Sequence, residues 1–329
     1  MSDAFAVARR PTVTQRAKVA ALALSATVLE HAPELLLDVL ASAGGMLLYL
    51  AQRRRRRLVR DNLRRVCRHL GAGSGANETV SAAAASPRAL ERLVQAAFRH
   101  YVRGYLEAAA LARYAAPAAL ERVAPDDRGL AHDAFAPAQA GAPLIIVGMH
   151  FGAIEIPALW AIRQLGISIT APMETVLDPA RQAYFARSRA ATGLTIIPLE
   201  HAAPQLRREL ALGHAVALVA DRPLAGSGTP VELFGAPARL PIGPAVLAFE
   251  TGAPAWLITI RRDAGAYRGR LERIDLPPTG SRRDRLAAFM RNEARAFERA
   301  VADAPEQWWA TFFPIWQPPD GQPTRASGG

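Results

Sequence analysis

Residues 143 to 160 read PLIIVGMHFGAIEIPALW. Leu144, Ile145, Ile146 and Val147 run into Gly148, Met149 and His150, and Glu155 follows five residues after the histidine. A short unbroken apolar run bounded by Pro and Gly fits a strand buried on both faces, and the text after it fits the start of a helix. The same rhythm recurs downstream. ISIT (167–170), LTIIPL (194–199), AVALVA (215–220) and AWLITI (255–260) are further short apolar runs. Helical stretches separate most of them, at 152–165, 179–193, 202–212 and 242–252. This alternation predicts an α/β fold with a mainly parallel central sheet flanked by helices. YRGRLERI (267–274) fits an added edge strand, and 281–303 fits a closing amphipathic helix. Residues 115–142, rich in Ala and Pro, match no template.

Upstream the text changes character. VAALALSATVL (19–29) and VLASAGGMLLYLA (39–51) are uncharged, with Glu30, His31, Glu34 and Asp38 between them. A spanning helix needs about 18 to 20 uninterrupted apolar residues, so the expectation is two short helices that pack on the protein or lie in a membrane interface. The interrupting acids also argue against a simple secretory signal. QRRRRRLVRDNLRRVCRHL (52–70) follows, with nine arginines and one acid. Leu58, Leu63, Val66 and Leu70 recur at near-helical spacing, which predicts a basic amphipathic helix suited to anionic lipid headgroups. GAGSGANETVSAAAASP (71–87) reads as a flexible loop. The expected organisation is a membrane-associating N-terminal segment over 1–70, a loop over 71–86, an α/β domain over 87–316 and a disordered tail over 317–329.

The formal net charge is +11, which favours anionic partners. The arginine run lacks interleaved aromatics, so no nucleic acid is expected. Cys67 is the only cysteine and HExxH is absent, which leaves no disulfide framework and no metal centre to expect. GxSxG, P-loop and GxGxxG patterns are absent too.

Active sites of open α/β sheets gather at the carboxyl ends of the strands. The expected strand ends carry His150, Glu174, Glu200 and Asp221. Among these, His150 with Glu155 one turn into the next helix forms a pair that fits general-base chemistry. The carboxylate is expected to reach Nδ1 and leave Nε2 to take a proton. Gly152 is expected to let a substrate approach the backbone, with helix N-terminal amides nearby for an oxyanion. Leu233, Phe234, Trp160 and Trp256 are candidates for the wall of an apolar groove.

HFGAIE (150–155) resembles the HX4(D/E) signature of bacterial membrane acyltransferases, in the branch that acylates lipid A and phosphatidylinositol mannosides. RSRAATG (187–193), the block from Leu212 to Pro254 with its ADR turn, and PEQWWATFFPIW (305–316) resemble further segments of that branch in the same order. The resemblance implies transfer of an acyl group from acyl-CoA or acyl carrier protein, used as co-substrate without another cofactor, to a glycolipid hydroxyl. It implies His150 as base with Glu155 orienting it, and Arg189, Glu174, Asp221 and Arg222 as site wall. Met149 before the histidine and Glu155 at the end depart from the phospholipid-making sister enzymes and favour a glycolipid acceptor. The acid-interrupted N-terminal segment leans towards the mannoside enzymes, with lipid A-type or lysophospholipid acceptors as alternatives. The implied location is the cytoplasmic face of the bacterial plasma membrane, peripheral or monotopic. A non-catalytic membrane-surface lipid binder is the reading of a different class.

Overall fold

The computed structural model describes residues 26–73, 76–174, 189, 192–223 and 228–316. Its centre is a seven-stranded sheet in the order β1-β9-β8-β2-β5-β3-β4. The strands are β1 Val123–Pro125, β2 Leu144–Gly148, β3 Ile169–Met173, β4 Thr195–Pro198, β5 Ala215–Val219, β8 Ala255–Asp263 and β9 Ala266–Ile274. Neighbouring pairs are parallel except β8 and β9, which form an antiparallel hairpin. A separate hairpin joins β6 Thr229–Leu233 to β7 Ala236–Leu240. The five apolar runs are therefore strands of a mainly parallel sheet, as their rhythm predicts. The run at 267–274 is not the edge, however. β1, from the stretch without a template, pairs outside it.

Strand β2 shows why LIIV is apolar without a break. Ile145 and Val147 face one core, packed with Leu257, Phe289 and Phe297. Leu144 and Ile146 face a second core with Trp256, Ile258 and Phe135. Alternate side chains leave a strand on opposite faces, so a sheet covered on both sides needs apolar residues at every position. Residues 179–188, within an expected helix, and the expected tail at 317–329 lie outside the described residues.

The N-terminal region departs from expectation. Residues 26–31 are helical, and after a break at Ala32–Pro33 a second helix, α1 Glu34–Ala51, starts earlier than the uncharged run at 39–51 suggests. Its acids do not interrupt it, because Glu34 sits in the first turn, where a carboxylate suits the helix dipole, and Asp38 lies one turn on. Both carboxylates pair with Arg103 of helix α4, Pro87–Ala109. Leu37, Ala41, Gly45 and Tyr49 form the buried stripe. A Cβ on Gly45 would lie 2.7 Å from the Arg99 backbone, so the two helices meet almost backbone to backbone.

Helix α2, Arg53–Gly71, is amphipathic as predicted, burying Val59, Asn62, Leu63, Val66 and Cys67. Asn62 donates to the carbonyls of Thr311 and Phe313, tying α2 to the C-terminal segment. The stretch 71–86 is not simply a loop. It contains helix α3, Glu78–Ala85, capped by the Asn77 side chain on the amide of Val80. A single core cluster joins Tyr49, Leu63, Val80, Phe98 and Phe312, so α1 to α4 pack together with the C-terminal segment rather than forming a detached appendage.

The remaining long helices are α5 Arg128–Gln139, α6 Ile156–Leu165, α7 Ala202–Ala211, α8 Gly243–Thr251 and α9 Arg282–Asp303. On α9, Glu293 is fully buried, and neither carboxyl oxygen has a hydrogen-bond partner. Burial, with the charge of Asp221 nearby, raises its pKa well above the usual carboxylate value of 4.5. The folded state therefore holds a proton that the unfolded chain releases near 4.5, and this contribution to stability is full below that pH and lost as pH rises. Glu293→Gln removes the titration. Relative to wild type, the variant's melting temperature is expected to rise between pH 5 and pH 8. Parallel melting curves across that range would refute this.

Candidate active site

Strands β2 and β5 run side by side in register, with Gly148 opposite Val219. The amide of Ala220 then donates to the Gly148 carbonyl at 3.0 Å. His150 and Asp221 each lie two residues beyond that last pair, so the register delivers them to the same point of the sheet's carboxyl edge. His150 Nδ1 lies 2.7 Å from Asp221 Oδ1. Asp221 Oδ2 accepts the backbone amide of His150 at 3.0 Å and the indole Nε1–H of Trp308 at 2.8 Å. The Asp221 side chain is wholly buried, whereas 27% of the His150 side chain is exposed.

Burial by itself would raise the pKa of Asp221. The His150 imidazole, the Trp308 indole and the His150 amide outweigh it and hold the carboxyl below its ordinary value. An ionised carboxylate on Nδ1 fixes the proton there and leaves the Nε2 lone pair as the basic position. The geometry is that of a histidine base with a buried orienting acid.

Glu155 has a different partner. It lies just before α6, and its Oε1 accepts Arg189 Nε at 3.0 Å and Nη2 at 2.5 Å. The expectation that Glu155 seats Nδ1 therefore gives way to Asp221, because in-register strand ends fix a closer partner than a helix starting six residues on. Arg189 also approaches Met173 Sδ at 3.1 Å. Burial disfavours the charge on this guanidinium, and Glu155 more than restores it. Glu174 is exposed and pairs with Arg222 at 3.4 Å, while Arg222 stacks over Phe313. Three of the expected site-wall residues thus enter ion pairs, Arg189 with Glu155 and Arg222 with Glu174.

Gly152 has a packing role. Its φ is +55°, and a Cβ there would lie 1.7 Å from the carbonyl oxygen of Ile260 on β8. The close neighbour is the protein's own strand rather than a substrate. The amides of Phe151, Gly152, Ala153 and Ile156 donate to Met149, Gln307, Ile260 and Ala153 carbonyls, so these are already committed inside the protein.

The four aromatic and aliphatic groove candidates separate. Leu233 and Phe234 join the core around Met149 and Trp308. Trp256 and Trp160 belong to the opposite core. Closer to Glu155 is a small crevice whose lining mixes Glu107, Tyr114 and Glu155 with Leu111, Ala153 and Trp309.

A sequence model of the family described as bacterial lipid A biosynthesis acyltransferase matches residues 8–316. The chain belongs to that family. Curated relatives include the phosphatidylinositol mannoside acyltransferases of Mycobacterium tuberculosis and Mycolicibacterium smegmatis, each 30% identical over 118 residues. Those alignments cover 35% of this chain and 37% and 38% of the two relatives, so the chain matches little more than a third of their length. Within this acyltransferase family member, reading the sequence alone missed the part played by Trp308, which sits in the matched C-terminal stretch. Asp221 carried a signal, since LVAD and VGMH end two runs of equal length, but only strand order shows that the runs are neighbours.

Proposed function

We propose that the protein transfers a fatty acyl group from an acyl thioester, on CoA or acyl carrier protein, to a hydroxyl of a glycolipid at a membrane surface. The observation that carries this reading is the buried Asp221 carboxylate on Nδ1 of a partly exposed His150. His150 Nε2 removes the acceptor hydroxyl proton as the oxygen attacks the thioester carbonyl carbon. The C–S bond breaks, and the imidazolium returns its proton to the leaving thiolate, so the products are an ester and a free thiol. Asp221 stabilises the imidazolium between these steps. Glu155 and Arg189 form a charged wall beside it. A phosphatidylinositol mannoside-type acceptor is favoured by the names of the relatives, with lipid A-type and lysophospholipid acceptors as alternatives.

His150→Ala is expected to lower transfer from acyl-CoA to a glycolipid panel by about 10²- to 10⁴-fold. Equal transfer by the two proteins would end this reading of the site. Vesicle binding without thioester consumption by the wild type would favour a non-catalytic lipid binder.

The membrane part of the proposal rests on α1 and α2. Helix α1 has 18 residues with mean hydropathy 1.6 and is only 22% buried, long and apolar enough to cross a membrane by length and composition. Leu35, Leu47 and Leu50 are 74%, 67% and 59% exposed, and Arg53, Arg54, Arg55 and Arg57 on α2 are exposed as well. Apolar and cationic groups side by side suit an anionic bilayer surface. Leu47→Asp with Leu50→Asp is expected to weaken binding to anionic vesicles by at least about 10-fold, given ~1.5–3 kcal/mol per inserted Leu. Undiminished co-sedimentation would refute it.

A further inference from the structure

The turn that carries His150 is clamped on both sides. Trp309 N–H donates to the His150 carbonyl at 2.6 Å, and Phe151 forms a β-bridge with Trp308. Gly152, in its left-handed conformation, donates its amide to the Gln307 carbonyl at 2.9 Å. Its own carbonyl accepts Arg262 Nη2 at 3.0 Å. Arg262 comes from β8, the strand beside β2, and is itself bracketed. Gln307 Oε1 accepts the Arg262 amide and Gln307 Nε2 donates to the Arg262 carbonyl, both at 2.9 Å. The guanidinium rests on Glu107 of α4, through Nε at 2.7 Å and through Nη2. Glu107 also accepts Tyr267 Oη at 3.1 Å, and its side chain is 5% exposed.

We propose that Arg262, aimed by Glu107 and Gln307, is a positioning residue that holds the His150–Gly152 turn in its reactive geometry. The inference rests on His150 being the base, but it concerns the groups that hold its turn rather than the base itself. A left-handed glycine turn has an alternative set of peptide orientations, and a guanidinium on the Gly152 carbonyl selects one of them. An unpaired Arg262 would serve poorly, since a long side chain samples many rotamers. The Glu107 carboxylate fixes one. Burial opposes ionisation of Glu107, but Arg262 and Arg103 more than offset this and hold its pKa low, so the strut stays charged. Displacing a base by about 1 Å can cost 10²-fold in rate, which sets the scale for losing such a strut.

The test compares Arg262→Lys, Gln307→Asn and Tyr267→Phe in the full chain, at a temperature where each is folded by circular dichroism. Lysine keeps the charge for Glu107 but has no second prong for Gly152, and asparagine shortens the bracket on Arg262. Tyr267→Phe removes a Glu107 partner without touching the turn. For Arg262→Lys and Gln307→Asn the expected result is a fall in kcat of about 10- to 100-fold with KM for acyl-CoA unchanged within about twofold. Amide exchange across 148–153 should quicken at least tenfold in both, and the pH dependence of His150 alkylation should stay as in wild type. Tyr267→Phe should lose thermal stability and keep wild-type kcat. A wild-type kcat in folded Arg262→Lys overturns the proposal, as does an equal loss in Tyr267→Phe. Faster exchange with kcat intact overturns it too, while leaving His150 as base. If His150→Ala instead transfers as well as wild type, the base assignment falls, and the exchange data still decide whether Arg262 holds the turn.

Discussion

Asp221→Asn is expected to lower acyl transfer by about 10³- to 10⁴-fold with little change in fold, the scale seen when a histidine base is left in the wrong tautomer. The reason lies in which atoms surround the carboxylate. Oδ2 accepts two N–H groups, from the His150 backbone and from Trp308 Nε1. In an asparagine, only the amide oxygen satisfies both, so the NH₂ group must occupy the place of Oδ1. That place lies 2.7 Å from His150 Nδ1. Two donors cannot face each other, so Nδ1 must become an acceptor and its proton moves to Nε2. The histidine is then present and well placed, but it has no lone pair for the acceptor hydroxyl. Glu155→Gln leaves this tautomer alone and weakens an ion pair to Arg189, so its expected cost is nearer 10-fold. Steady-state rates of the two variants, with the His150 tautomer read from its ring nitrogen chemical shifts, distinguish the roles. A Glu155→Gln loss exceeding that of Asp221→Asn would return the orienting role to Glu155.

Gly152→Ala is expected to be the most damaging single-methyl change at the site. The added carbon would meet the Ile260 carbonyl oxygen at 1.7 Å, with the Ile260 carbonyl carbon at 2.8 Å. Backbone of a central strand cannot yield as a side-chain tip does, and φ of +55° is itself unfavourable for alanine. The expected destabilisation is about 3 kcal/mol or more, or roughly 4 °C or more in melting temperature for a chain of this size. Gly166→Ala is the matched control. Its φ is +67° and nothing lies within 4 Å of the added carbon, so it bears the backbone cost alone, about 1 to 2 kcal/mol. A Gly152→Ala melt no lower than that of Gly166→Ala would show that the turn moves away from β8 at little cost.

The fold was largely legible because a sheet buried on both faces writes itself as unbroken aliphatic runs. LIIV and AVAL each meet two cores, so each is apolar throughout. The harder parts were those without a strong local period. β1, only three residues long, owes its existence to pairing with β9 rather than to propensity. Helix α1 begins at Glu34, before its uncharged run, because Arg103, more than sixty residues away in sequence, pairs with both Glu34 and Asp38.

At the site the same division holds. By itself the sequence determined that a histidine and several acids stand at strand ends, since an apolar run that stops at a polar residue marks the carboxyl edge of a parallel sheet. It also determined the basic amphipathic α2, whose period is local. Tertiary structure alone decided which acid holds the histidine. Glu155 is near His150 along the chain, whereas Asp221 is 71 residues away and reaches it because β2 and β5 are neighbours in register. Partner choice at a sheet edge follows strand order, which comes from packing both faces of the sheet at once and leaves no local mark. The same is true of Arg262, Glu107 and Gln307, three polar residues from distant segments that meet only because the turn after β2 needs its peptide groups held.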